Sequence, residues 1–262
     1  MIENWKAKVI GLYAIRLYLP LSTLSKRLRD FSRMLRGKTN KHSQATQLPQ
    51  IDWSTVFQLR RIRLAEAAKI NGNVRLSELG LLAVAAANVR PGTEIIEIGT
   101  FDGRTTLNLA INAPSDCRVF TLDLPPQHPS KFELDPGELH FVEKTAPGRR
   151  YKNCSRNWTS YASRITQLLG DSATFDWTPY FEKAGFVFVD GSHTYEYALA
   201  DSLTAFKLLS REAVIMWHDY GVWDGVTRAL EELEVKHSLG LRHLKGTSFV
   251  WWRAKRNIPN FT

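Results

Sequence analysis

From residue 94 to residue 253, short apolar runs alternate with amphipathic ones, and this alternation restricts the chain more than any other feature. The runs 94–98 (EIIEI), 118–122 (RVFTL), 164–168 (RITQL), 186–190 (FVFVD) and 213–217 (AVIMW) are predicted strands. Helical patterns are predicted at 103–113, 176–184, 195–209 and 224–235, with two more at 55–70 and 76–88 ahead of the first strand. Short apolar strands separated by helices belong to a parallel sheet covered on both faces. The last two runs differ. Residues 241–245 and 247–253 are separated only by the turn at Gly246. Parallel strands need a long crossover, so this pair must be antiparallel. The expected fold is α/β: a mostly parallel sheet with a C-terminal antiparallel hairpin, preceded by N-terminal helices.

The charge is unevenly distributed. Residues 1–48 carry ten basic and two acidic residues, a net +8, whereas the remainder carries twenty-five basic against twenty-four acidic residues. The chain therefore reads as a basic arm and linker (1–50) followed by a nearly neutral domain (51–262). A basic arm is poor evidence that the body binds nucleic acid. Residues 9–21 are apolar but hold Arg16 and Pro20, so the run is too short to span a membrane, and it reads as a retained segment. Residues 21–36 have helical apolar spacing among Lys26, Arg27, Arg29, Arg33 and Arg36. Packing on the body or on a partner subunit is the favoured reading of this arm. The alternative is peripheral contact with an anionic membrane. With 44% hydrophobic and 23% charged residues, the chain is an ordinary globular one, and Cys117 and Cys154 are too few for a disulfide framework.

The expected strand ends are unusually polar. The first runs into Glu97-Ile98-Gly99-Thr100-Phe101-Asp102-Gly103, where glycine lets a ligand approach the backbone closely. The glycine spacing excludes the G-x-G-x-x-G pattern of nicotinamide binding, because residue 101 is Phe. Asp123 ends the second strand, placed to accept hydrogen bonds from both hydroxyls of a ribose. Asp171 and Ser172 follow the third strand, where they could bind an adenine amino group. Asp190 and His193 follow the fourth, and His218 and Asp219 follow the fifth. Residues 125–160 are rich in proline and glycine and lack periodicity, which marks an insertion or lid beside these strand ends.

These residues carry a resemblance. The acid-x-Gly-x-x-x-Gly pattern from Glu97 to Gly103 resembles motif I of class I methyltransferases dependent on S-adenosylmethionine (SAM). VDGSHTYEYALADSLTAFKLL followed by WHDYGVWDGVTRALEEL is similar to the bacterial methyltransferase-24 type, itself similar to sugar and small-molecule O-methyltransferases. The resemblance covers about residues 76–253, apart from Ser210-Arg211-Glu212, where the family has a Pro-Gly-Gly turn. It implies a Rossmann-like sheet of seven strands with the last one antiparallel. It also implies a SAM site formed by Glu97, Gly99, Thr100, Gly103, Asp123, Asp171 and Ser172. The implied activity is methylation of a sugar, glycan or other small hydroxylated metabolite.

Such an enzyme must align donor and acceptor and deal with the acceptor proton. Two devices fit Asp190, His193 and Asp219. In the first, Asp190 and Asp219, with His218 beside them, hold a divalent metal such as magnesium, although an imidazole suits zinc, manganese or iron better. In the second, His193 is the base. A bland role is weighed beside each: His193 as a cap of the helix starting near Tyr195, His218 as a structural hydrogen-bonding residue. Two other functions are the alternatives. A nucleic-acid methyltransferase would use the basic arm, but Asp190-Gly191-Ser192-His193 stands where amino-methylating enzymes have Asn/Asp-Pro-Pro-aromatic, so nucleic acid is not the expected partner. A non-catalytic protein would keep only the SAM fold. The expected location is cytoplasmic, with membrane association through the arm as the alternative, and a homo-oligomer is compatible with the sequence.

Overall fold

The computed structural model describes residues 2–21, 24, 46–67, 74–139 and 146–254. Its centre is a sheet ordered β1-β7-β8-β6-β5-β2-β3-β4. The strands are β1 (Gln50–Ile51), β2 (Glu94–Ile98), β3 (Val119–Asp123), β4 (Ile165–Leu169), β5 (Ala184–Val189), β6 (Leu209–Trp217), β7 (Arg242–Leu244) and β8 (Val250–Arg253). All neighbours pair in parallel except β8, which is antiparallel to both β6 and β7. The sheet thus has eight strands rather than seven. The extra one is the two-residue β1, which extends the edge along β7 and straddles the expected boundary between linker and domain.

The period of two along each strand divides the core between the faces. Ile95, Phe186 and Phe188 face helices α2 (Leu76–Ala87) and α3 (Arg104–Asn112). Ile96, Ile98, Val187, Val189 and Ile215 face helices α6 (Tyr195–Leu208) and α7 (Asp224–His237). Two short helices, α4 (Arg149–Lys152) and α5 (Thr159–Ala162), follow the insertion. Helix α2 is apolar nearly all round and buried from Ser77 to Ala86. Such a helix needs cover on its outer side. Helix α1 (Ile2–Tyr13) and the π-turn Ala14–Tyr18 supply it. They bury Ala7, Ala14, Ile15 and Leu19. A Cβ on Gly80 would lie 2.9 Å from Ile15 Cδ1, so small residues let the two helices approach closely. The amphipathic run 21–36 lies outside the described residues, apart from Leu21 and Leu24.

Two expected helices do not form as read. At 55–70 there is a 3-10 turn at Trp53–Thr55 followed by a non-helical strap, of which 68–70 lie outside the described residues. Asparagines of helix α3, rather than i−4 carbonyls, satisfy this strap. Asn108 pairs with both backbone groups of Ala65, and Asn112 with both of Arg63. At 176–184, only Thr178–Tyr180 is a 3-10 turn, and β5 begins at Ala184.

The packing of the π-turn makes a direct prediction. Ile15→Ala should cost about 2–5 kcal/mol in a urea unfolding titration, as for a large-to-small core change. Leu17→Ala, on the exposed side, should cost less than about 0.5 kcal/mol.

Candidate active site

Parallel register places five strand ends along one edge. Ile98 pairs with Leu122 and Val189, Asp123 with Leu169, and Val189 with Trp217. The backbone ladder continues past the strands. Gly99 N–H donates to Leu122, Gly170 to Asp123, Asp190 to Ile98 and His218 to Val189. The polar residues that follow each strand are thereby gathered around one cleft, with about 1210 Å³ of empty space when open solvent is included. The chain switches direction between β2 and β5, the position where open α/β sheets bind ligands.

The turn after β2 forms the cleft's floor. Gly99 has φ +99°, and a Cβ there would lie 2.0 Å from the Asp190 carbonyl oxygen. Glycine is required so that two stretches of this chain can cross, before any ligand is considered. Phe101, at φ +48°, donates its N–H to Asp123 Oδ2 at 2.7 Å, and Leu124 N–H donates to Oδ1 at 3.0 Å. Burial still raises Asp123 to about 6, with those two bonds opposing the rise. Thr100 lines the cleft, but its hydroxyl is engaged by Thr121 and Gln167 behind it.

Two motif I residues lie off the cleft. Glu97 is fully buried and accepts hydrogen bonds from Thr106 at 2.5 Å and Thr121 at 2.6 Å, tying β2 to α3 and β3. Burial pushes it up to about 8, aided by the charges of Asp190 and Asp123 and opposed by the threonine bonds. Gly103 has φ +82°, and a Cβ on it would lie 2.6 Å from Tyr151 and 2.8 Å from Gly148. Its missing side chain seats the end of the insertion. On the far wall, Asp171 and Ser172 line the cleft. The Asp171 carboxylate accepts from Ala173 N–H, Lys131 N–H and the Tyr197 hydroxyl, so it holds the insertion and α6 together.

The ends of β5 and β6 carry a buried chain of acids and bases. Asp190, His193 and Asp219 bring one possible ligand atom each within 4.8 Å of one another. His193 Nε2 lies 2.9 Å from Asp219 Oδ2, and Nδ1 lies 2.5 Å from Glu138 Oε2. The ring stacks on Trp223 at 4.4 Å. Burial disfavours its charge, but the bonds and charges of Asp219 and Glu138 outweigh burial and raise His193 to about 9. With a carboxylate at each nitrogen, the ring carries two N–H groups and no lone pair near neutrality.

His218 lies behind the cleft. Its Nδ1 is 2.9 Å from Asp190 Oδ1 and 3.3 Å from Asp219 Oδ2, and Nε2 is 3.6 Å from Glu78. Burial opposes its charge, yet Asp219 and Asp190 hold it well above the ordinary value. It braces the two carboxylates, whereas His193 shares the cleft with them. Burial raises Asp190, despite His218. Asp219 moves the other way, because His218 and His193 overcome its burial.

Glu138, from the insertion, had no signal in the sequence: it sits in an irregular stretch without a motif. Its carboxylate accepts from Ser192 Oγ, His193 N–H and His193 Nδ1, and it is 3% exposed. Glu78 was equally hidden, in a helix that reads as apolar. It accepts from Arg75 and from the N–H and hydroxyl of Ser248.

Comparison with known proteins agrees with this geometry. Residues 96–220 match the Methyltransf_24 family, described as a methyltransferase domain. The fold is similar to that of the O-methyltransferase NovP, with a TM-score of 0.57 and 16% identity over 72% of this chain and 84% of that one. Also similar, with a TM-score of 0.44 and 18% identity, is the O-methyltransferase TomG from Streptomyces achromogenes, involved in tomaymycin synthesis and solved with SAM, over 70% of this chain and 82% of that one. An O-methyltransferase from Bacillus cereus in complex with SAH scores 0.44 at 18% identity, over 73% and 84%. No curated protein matches the chain significantly by sequence.

Glu97 gives a pH prediction. Its pKa is about 8 in the fold against 4.5 ordinarily, so the folded chain holds a proton that the unfolded chain releases. Its contribution is therefore present below pH 4.5 and is lost as pH rises towards 8. Urea midpoints should fall between those limits, and Glu97→Gln should flatten the fall. Equal slopes for both proteins would show that the carboxyl ionises freely in the fold. The match over residues 96–220, the strand order and the cleft at the switch point support a SAM-dependent methyltransferase, whose matched segment is similar to the methyltransferase-24 type.

Proposed function

We propose that the chain is an O-methyltransferase acting on a hydroxyl of a sugar, glycan or other small metabolite, as a cytoplasmic enzyme. The observation that carries the reading is Asp190. Its Oδ1 faces His218, whereas Oδ2 carries no hydrogen bond among the described residues and borders the cleft. Half-buried and raised in pKa, this carboxylate has the stronger basicity that removal of a hydroxyl proton needs. His193 was the other candidate base, but with both nitrogens facing carboxylates it better serves as a fixed positive charge beside the acceptor.

SAM supplies the methyl group: the acceptor oxygen bonds to its carbon as the carbon–sulfur bond breaks, and the electron pair stays on sulfur. The residues support a SAM site in three places. Gly99 and Thr100 form the floor, Asp123 keeps lone pairs for ribose hydroxyls beyond its two backbone bonds, and Ser172 lies on the adenine side beside Asp171. Asp190 would then take the acceptor proton, while Glu138 and Asp219 keep His193 in place. A divalent cation fits the same donors, two carboxylates and the His193 imidazole, provided the ring gives up a proton. It would be held by Asp190, Asp219 and His193, with His218 braced behind them, and would acidify the acceptor hydroxyl.

Calorimetry should show saturable SAM binding, and Asp123→Ala should weaken it at least about tenfold through loss of the ribose bonds. Saturable heat with NAD and none with SAM would refute the assignment. Cell extract screened for transfer of radiolabelled methyl, with and without EDTA, identifies the acceptor. Turnover should fall at least about a hundredfold in Asp190→Asn with SAM affinity nearly unchanged, since that interaction belongs to the transition state. Sensitivity to EDTA would assign the proton step to a cation, and resistance would assign it to Asp190 alone. Label entering RNA or DNA rather than small molecules would overturn the reading.

A further inference from the structure

The outer face of the N-terminal helix has no role in the methyltransferase site. Its inner face is covered: Ala7, Ala14, Ile15 and Leu19 are buried, and a Cβ on Gly11 would lie 2.8 Å from the Ile62 carbonyl oxygen. Its outer face shows Trp5, Val9, Leu12, Tyr13, Leu17 and Leu21 to solvent, with Trp5 at 65% and Leu21 at 59% exposure. This is one continuous stripe because of the π-turn at Ala14–Tyr18. At about 100° per residue, an unbroken α-helix would place Leu21 opposite Leu12. The extra residue in the turn brings Leu17 and Leu21 back to the side of Val9 and Leu12. The stripe runs about 24 Å, at about 1.5 Å per residue.

Charge decides what covers it. Lys6, Lys8 and Arg16 are exposed along the stripe, and seven more basic residues follow between Lys26 and Lys41. We infer that this face lies on an anionic lipid bilayer, with Trp5 and the leucines in the headgroup boundary and the cations against lipid phosphates. An apolar helical face bearing Trp and Leu with Lys and Arg beside it is the form that binds at such a boundary. No described helix is long and apolar enough to cross a membrane, which agrees with a helix lying in the plane. A second copy of the chain is the poorer fit. A two-fold contact would set the same patch against itself and oppose two segments of net +8.

Co-sedimentation of the full chain with vesicles tests this. Phosphatidylcholine vesicles with about 30% phosphatidylglycerol should pellet the protein at about 0.1 M salt. Pure phosphatidylcholine, or about 0.5 M salt, should lower binding at least about fivefold, because screening removes the cationic contribution. Combining Trp5→Ser, Leu12→Ser and Leu17→Ser should lower binding at least about tenfold, with an unchanged thermal unfolding midpoint because all three side chains are exposed. Lys6→Gln, Lys8→Gln and Arg16→Gln together should weaken the binding and lower its salt dependence, leaving the part due to the seven cations from Lys26 to Lys41. The inference is overturned if anionic vesicles leave the wild-type chain in solution or bind the serine variant equally well. It is overturned too if light scattering shows a dimer that the serine variant dissolves, which would make the stripe an interface between copies.

Discussion

A chain of alternating charges, exposed at Arg75, half-buried at Asp190 and His193 and buried at its other members, holds the site together: Arg75, Glu78, His218, the pair Asp190 and Asp219, His193 and Glu138. Each link joins a different part of the fold. Arg75 and Glu78 begin α2, Asp190 and His193 follow β5, His218 and Asp219 follow β6, and Glu138 comes from the insertion. Burying one such charge alone would cost several kcal/mol, so each member is tolerated only because its neighbours are present. The chain holds four carboxylates against three cationic side chains. The uncompensated member is Asp190, whose pKa rises while those of Asp219 and Glu138 fall. Of the three carboxylates of this chain that line the cleft, Asp190 is the one whose proton affinity is raised.

The skeleton of this arrangement was legible because strand ends leave a strong local trace. An apolar run that stops at Gly99, Asp123, Gly170, Asp190 or His218 marks the sheet's edge, and parallel register does the rest. What the sequence left ambiguous were the partners. Glu78 sits among leucines and alanines, and only the fold shows that Ser248, 170 residues away, donates to it. Glu138 follows a glycine in a stretch without periodicity. The two motif I residues off the cleft illustrate the converse. Glu97 and Gly103 have the family spacing, but their local work is to join β2 to α3 and to seat the insertion.

The 55–70 segment went astray for a related reason. Its composition is compatible with a helix, and a helix satisfies its own backbone. Here the backbone of Arg63 and Ala65 is satisfied instead by Asn112 and Asn108, so the decisive residues lie more than forty positions further along the chain. The same long-range logic governs the N-terminal helix. Its inner side sets Ala14 and Ile15 against Gly80 of α2, whose missing side chain lets the two pass close by. A binary reading of apolar and polar positions does not separate those from the large apolar residues facing outward.

The two halves of the site are therefore built with different tolerance. The cofactor half rests on backbone crossings that a single Cβ would disrupt, as at Gly99, and on Asp123, which anchors the turn that surrounds it. These constraints come from the fold itself and leave little freedom to vary. The insertion docks at its first part through side-chain bonds, Glu138 to Ser192 and His193 and Lys131 N–H to Asp171, and at its end through backbone bonds from Gly148 to Phe101 and Arg150 to Asp102. The side-chain bonds of its first part can be exchanged without disturbing the sheet. Under the proposed function, acceptor choice would fall to the described residues of the insertion, 125–139 and 146–160, and the chemistry to the strand ends. Glu138 couples the two, because the side chain that docks the insertion is the one that holds His193 against Asp219.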